Sequence, residues 1–243
     1  MTKFKKIIPA LCMLLISAVL MGTSTYAWFS MNTQVSATGM KVTANSTNLF
    51  LQISSSATYT DPATSVDYKE TVGTKLKPAT PVLAAENASI QKWQTATSNN
   101  PGDALSGADK TIADIVPGSL NEYVYSKELH FRIAPNSTAT ATNLVIAGVT
   151  MTGDNGKELN KALRVAVAGK DGVQVWTNAD GTWKKDAGKT AEAILATVTT
   201  ADATATLYIW FDGTDENCTT NNAANLDILA FTVTFSVTAA NNA

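Results

Sequence analysis

The residues best suited to hold a metal ion lie together in one short stretch. Asp212-Gly213-Thr214-Asp215-Glu216-Asn217 places three carboxylates and an amide within six residues, directly after Tyr208-Ile209-Trp210-Phe211. Oxygen ligands at that density suit Ca2+, which takes six to eight of them. Asp212, Asp215 and Glu216 are therefore the candidate cation ligands. The spacing is not that of an EF-hand, and a plain acidic turn on an exposed sheet explains the same residues. No other cofactor is implied. Gly153-Asp154-Asn155-Gly156 also reads as a turn.

Catalytic chemistry has less to work with. The chain has one histidine, His130. A helical zinc-protease site needs two histidines four apart plus a glutamate, and a Ser-His-Asp triad needs a histidine beside its nucleophile. Alternation puts His130 on the outer face of a strand, between Glu128 and Arg132, where it is expected to be solvated. The sequence holds no Gly-rich phosphate loop of Walker or Rossmann spacing, no Cys-x-x-Cys pair and no Gly-x-Ser-x-Gly elbow. Carboxylates that meet only on folding remain open. The expectation is a protein that is not an enzyme.

The N-terminus sets the compartment. Lys3, Lys5 and Lys6 precede an apolar run from Ile7 to Gly22, broken only by Pro9 and Ser17. As a helix this run spans about 24 Å, short of the roughly 30 Å hydrocarbon core of a bilayer. Thr25-Tyr26-Ala27 then offers small residues for a signal peptidase. Residues 1–27 are expected to be a helical signal peptide cut between Ala27 and Trp28, with membrane contact only before processing. An uncleaved anchor is the competing reading. Cys12 lies inside the apolar run, which does not fit a lipoprotein, and the cut falls behind that run, which does not fit a type IV prepilin.

Processing would remove three of the 18 Lys and Arg and none of the 20 Asp and Glu, leaving a formal charge of −5. No basic stripe remains to follow a phosphate backbone, so nucleic acid is not an expected partner. Cys218 would be the only remaining cysteine, so the fold must stand without an intrachain disulfide. Cys218 reads as a small buried apolar residue, or as a thiol that pairs between subunits.

Period-two patterns dominate the remainder of the chain. Leu49, Leu51 and Ile53 alternate with Asn48 and Gln52, and Leu129, Phe131 and Ile133 alternate with Glu128, His130 and Arg132. Leu229, Phe231, Val233, Phe235 and Val237 alternate with Ala230, Thr232, Thr234 and Ser236. Such alternation marks half-buried strands of antiparallel sheets. Further strands are expected at 143–151, 162–168, 172–177 and 203–211. Lys170-Asp171-Gly172 and Asn178-Ala179-Asp180-Gly181 supply turn chemistry, since Gly, Asp and Asn accept the positive φ of tight hairpins. The fold class is all-β, a jelly-roll-like antiparallel β-sandwich spanning residues 28–243.

Residues 55–117 depart from this pattern. Five of the seven prolines fall there: Pro62, Pro78, Pro81, Pro101 and Pro117. Proline removes a ladder donor, so the stretch is not a run of central strands. It is expected to be an irregular insertion with a short strand at Ile90 to Trp93. A helix is expected at 188–197.

Two blocks carry a family resemblance. Gly22-Thr23-Ser24-Thr25-Tyr26-Ala27-Trp28-Phe29-Ser30-Met31-Asn32, running into Val35-Ser36-Ala37-Thr38-Gly39-Met40-Lys41-Val42, resembles the start of exported bacterial proteins cut by the SipW-type signal peptidase. These include the TasA and camelysin family of biofilm-matrix and cell-surface proteins. Ile209 to Thr219 is similar to a C-terminal block of such proteins, there too followed by an alternating last strand. The blocks cover about a third of the chain. The resemblance implies a secreted jelly-roll sandwich, with the signal peptidase as a partner during export and copies of itself or related matrix subunits as partners afterwards. In fibre-forming members a freed N-terminal strand adds to the sheet of a neighbour. Here Trp28, Phe29, Val35, Met40 and Val42 would line that strand, with backbone hydrogen bonds giving affinity and side-chain pockets giving register. Residues 28–44 read equally well as the first strand of their own domain. Camelysin-type members are described as metalloproteases, but this sequence has no recognisable zinc-ligand set, so that activity is not carried over.

The expected function is therefore an exported structural subunit of a bacterial cell surface or biofilm matrix. The alternative is a monomeric extracellular module that binds glycan or protein through the insertion and Trp93.

Overall fold

Alternation turns into facing sheets where a strand buries every second side chain, as at Phe231, Val233 and Phe235. The computed structural model describes residues 40–45, 51–59, 65–68, 76–98, 110–135, 137, 140–152, 158–178, 180–218 and 230–240. They belong to one compact unit, residues 38–243.

The strands in chain order are β1 (Met40–Asn45), β2 (Leu51–Ser54), β3 (Ser65–Tyr68), β4 (Thr80–Leu83), β5 (Ile90–Ser98), β6 (Lys110–Asp114) and β7 (Val124–Ile133). They continue as β8 (Ala141–Thr152), β9 (Leu163–Gly169), β10 (Val173–Thr177), β11 (Lys184–Lys185), β12 (Leu195–Val198), β13 (Ala203–Phe211) and β14 (Ala230–Ala239). A five-stranded sheet has the order β12-β8-β14-β1-β3, and a six-stranded sheet the order β11-β10-β9-β13-β7-β2. The expected all-β sandwich is what the chain forms. Strand pairs are antiparallel except β1 with β14, which run parallel from Lys41 opposite Thr232 to Asn45 opposite Ser236.

Between the sheets lies a core from both inner faces. Ile53, Leu129, Phe131, Ile133, Val165, Val167 and Leu207 of the six-stranded sheet are completely buried, as are Leu144, Val233 and Phe235 opposite. Phe131 and Phe235 meet edge to face, with ring centroids 5.1 Å apart, a geometry that adds about 0.5–1.5 kcal/mol beyond burial. Gln174 is the polar exception, fully buried on β10. Its Oε1 accepts the Ile146 backbone N–H of the facing sheet at 2.9 Å, and its Nε2 donates to the carbonyls of Ala191 and Glu192. Each of its groups is satisfied, which removes the cost of burying an amide.

The helix expected at 188–197 is replaced by a 3-10 turn, Ala187–Lys189, and by β12. Tertiary hydrogen bonds claim this backbone: Ala191 N–H donates to the Val173 carbonyl and Ile194 N–H to the Leu144 carbonyl. The segment also presses on the β9–β10 hairpin. A Cβ on Gly169 would lie 2.4 Å from the Ile194 carbonyl oxygen, and one on Gly172 would lie 2.4 Å from the Ala191 Cβ.

The proline-containing insertion carries more strand than its composition suggests. β4, β5 and β6 form an antiparallel three-stranded sheet. Pro81 sits on β4, an edge strand, where a missing N–H is tolerated, and the central β5 has no proline. The expected short strand at Ile90 to Trp93 is nine residues long, Ile90–Ser98.

Candidate functional site

Asp212 and Asp215, two of the three candidate cation ligands, converge on an arginine. Arg164 stands on β9 beside the end of β13 and is itself 7 % exposed. Its Nη2 donates to Asp215 Oδ2 at 2.6 Å, its Nε lies 3.5 Å from Asp212 Oδ2, and its Nη1 donates to the carbonyls of Lys161 and Leu163. Asp212 Oδ1 accepts from Thr214 and from Thr80 of β4, and Asp215 Oδ1 accepts from the backbone and side chain of Asn217. Glu216, the third candidate, faces solvent outside this network. Among the described residues no group of three or more His, Cys, Asp or Glu is placed to hold a metal ion.

The acidic turn thus works as a knot. Asp212 N–H donates to the Ala162 carbonyl, Ala79 N–H to Phe211, and Gly213 N–H to Ala79. The two Ala79 bonds fasten the insertion to the end of β13, and the Asp212 bond ties the turn to the residue before β9. Burial pushes the Asp215 carboxyl up, but the Asn217 backbone N–H and the Arg164 guanidinium outweigh it and hold the group below the usual carboxylate range. Cys218 is buried beside the turn, and burial together with the carboxylates of Asp212 and Asp215 pushes its thiol up to about 12. Of the two readings of Cys218 from the sequence, its burial agrees with the small buried apolar residue.

His130 departs from expectation. It lies on the outer face of β7 as alternation requires, yet it is only 8 % exposed. The loop between β12 and β13 folds over it: His130 Nδ1 bonds Asp202 Oδ2 at 2.9 Å, and its Nε2 lies 3.3 Å from Glu128. Tyr59 donates its hydroxyl to Asp202 Oδ1 at 2.6 Å, and the Arg132 guanidinium stacks 3.9 Å from the Tyr59 ring centre. Ser54 stands opposite His130 in the β2–β7 ladder, but its hydroxyl is turned to the Thr58 carbonyl. The cluster pins the segment after β2 to the loop before β13.

At Asp202 burial acts upward, and the hydrogen bonds from Tyr59 and His130 overcome it, so this carboxyl is also depressed. Depressed carboxyls stabilise the fold above their unfolded pKa, and this contribution is lost as pH falls through the lower folded value. Urea midpoints should therefore fall on acidification below the ordinary carboxylate range. Asp202→Asn should flatten that slope; a slope identical to wild type would remove Asp202 from the acid response.

Trp93 is not a presented recognition side chain. It is 6 % exposed and lies on the six-stranded sheet, edge-on to Trp210 with centroids 5.1 Å apart and tilted against Tyr208 at 5.5 Å. Ala79, Val124, Ala166, Val173 and Val175 complete this second core. β13 is therefore covered on both sides.

Of the expected assembly strand, Met40 and Val42 fall on β1, between β14 and β3. Trp28, Phe29 and Val35 lie outside the described residues, as does the expected cleavage point between Ala27 and Trp28. The chain matches no known protein-family model, no curated protein and no solved structure. Its functional reading rests on its own geometry. The acidic turn and the His130 cluster are both internal ties of the fold.

Sequence reasoning missed Arg164, Asp202 and Tyr59. Arg164 had a visible signal: it is the lone charge in the apolar stretch Ala162 to Ala168. Asp202 and Tyr59 had none, because 143 positions separate the bonded pair.

Proposed function

We propose that this chain is an exported structural subunit of a bacterial cell surface or biofilm matrix, assembling with copies of itself by exchange of its N-terminal strand. In this reading the signal peptidase frees Trp28, and the subunit then acts as do the matrix proteins its N-terminal block resembles. The observation that carries it is the position of β1. This first described strand adds in parallel to β14, close to the C-terminus, and is the only parallel member of the described ladders. It lies in the five-stranded sheet, whereas the next strand, β2, lies in the six-stranded one. A strand seated between two others by backbone bonds can be replaced by the same strand of another copy without loss of any bond, the condition for domain swapping.

The test is a cysteine pair at a register position of β1 and β14, Lys41→Cys with Thr232→Cys, in the secreted protein. Exchange gives a ladder of disulfide-linked multimers on a non-reducing gel and filaments by electron microscopy, and deletion of residues 28–36 leaves soluble monomers. A pair that closes only within single chains, or filaments unaffected by the deletion, would overturn the proposal.

A further inference from the structure

The insertion offers a second association surface, independent of the N-terminal strand. Among the described residues β6 has a single ladder partner, β5, so one edge of the three-stranded sheet is open. Open edges are templates for pairing, and proteins commonly blunt them with charge or proline at the centre. β6 does the opposite. Its central residue is Ile112, 53 % exposed, and Val116 just beyond is 69 % exposed; these are the exposed large hydrophobics among the described residues. The ladder fixes the face: Ile112 stands opposite Ala96 and Asp114 opposite Gln94, whereas Trp93, one residue before Gln94, is buried against the sandwich. Ile112 and Asp114 thus share the face turned away from the core.

We propose that β6 pairs antiparallel with β6 of a second copy, about a twofold axis through Ile112. The sequence Lys110-Thr111-Ile112-Ala113-Asp114 is self-complementary in that register. Lys110 stands opposite the partner subunit's Asp114, twice over by symmetry, and Ile112 stands opposite its own counterpart. Cross-strand opposite charges and apolar pairs favour pairing, whereas a parallel in-register arrangement sets Lys beside Lys and Asp beside Asp. An isologous contact of this kind closes after two subunits. Asp114 already accepts from Lys92 Nζ at 2.9 Å and Gln94 Nε2 at 2.8 Å. A carboxylate has about four acceptor sites, so a second lysine can join. The two insertions then form one continuous sheet in the order β4-β5-β6-β6-β5-β4. Combined with strand exchange, it would tie neighbouring fibres side by side.

Disulfide trapping on the full chain carrying Cys12→Ser tests the register; Cys218 is buried and stays silent. Ile112→Cys places two Cα atoms about 4.5–5.5 Å apart, within disulfide range. Ala113→Cys, offset from its mate by two residues, places them about 8 Å apart, outside that range. Mild oxidation should trap the first as a dimer and leave the second monomeric. Asp114→Lys should abolish trapping of Ile112→Cys by opposing two lysines, and adding Lys110→Asp should restore it, although the Lys92 contact stays lost. Equal trapping at 112 and 113, no trapping at 112, or a charge-swapped pair that fails to recover would each overturn the proposal. Because the probe is site-specific, it reads this contact whether or not β1 exchanges.

Discussion

Arg164→Ala should cost about 3–5 kcal/mol of folding stability, the range for removing one partner of a buried ion pair. The substitution leaves Asp212 and Asp215 in place, with side-chain exposures of 5 % and 8 %. Thr80, Thr214 and Asn217 still donate to them, so the carboxylates keep hydrogen bonds but lose the guanidinium, and Asp212 is left with only the half-buried Lys189 ammonium 3.9 Å away. Asp215 then loses one of the groups that hold its carboxyl down. The acid limb of the stability profile should accordingly shrink along with the midpoint. Urea denaturation should show a lower midpoint at unchanged slope, the mark of a stability change rather than a change in the surface exposed. Arg164→Lys should recover only part of the loss, since a lysine cannot reach both carboxylates and the Lys161 and Leu163 carbonyls with one planar fork. Neutralising the whole knot, with Arg164→Met, Asp212→Asn and Asp215→Asn, should cost less than Arg164→Ala alone, because no buried charge is then left uncompensated. An Arg164→Ala protein within about 1 kcal/mol of wild type would mean that solvent reaches the pair.

This knot shows where the sequence was legible and where it was not. β7 and β14 were readable because their alternate residues, Leu129, Phe131 and Ile133 in one and Phe231, Val233 and Phe235 in the other, fill the core, so the burial period is printed in the residues. The turn at 178–181 was readable because Gly181, at φ 79°, needs a conformation that few other residues adopt. The run Leu207-Tyr208-Ile209-Trp210-Phe211 carried a further signal. It is continuously apolar, as expected of a strand covered on both faces, and the insertion is what covers the second face. Prolines obscured that role by marking residues 55–117 as irregular, although Pro81 only confines β4 to an edge. Asp212 reads as a cation ligand in the sequence because its partner, Arg164, is remote along the chain and on another strand. A turn's composition records its acids, but not the arginine that the fold brings to them. His130 misled for the same reason. Alternation gives the face a residue occupies, not whether a distant loop such as the one holding Asp202 closes over it.

Trp93→Ala should release the insertion while sparing the sandwich. Truncating a buried tryptophan costs about 3–5 kcal/mol, and here the loss falls on one seam. Trp93 fills the space against Trp210 and Tyr208, and the other ties at that seam are the apolar contacts of Ala79, the backbone bonds of Ala79 with Phe211 and Gly213, and the Thr80 hydroxyl on Asp212. The inner core, with Phe131, Phe235 and Val233, has no part in it. The expected result is a local opening whose population rises about a hundredfold or more, which limited proteolysis reads directly when cleavage is slow relative to closing. Cuts between Thr80 and Asp114 should accelerate by that factor, and cuts within β7 to β14 should not. Trp93→Phe, which keeps an aromatic edge against Trp210, should fall between. If cleavage of the insertion is unchanged in Trp93→Ala, the other ties hold the seam without the tryptophan. If every segment is cut faster together, the three layers unfold as a single cooperative unit, and the insertion is then as much part of the folding core as the two sheets it rests on.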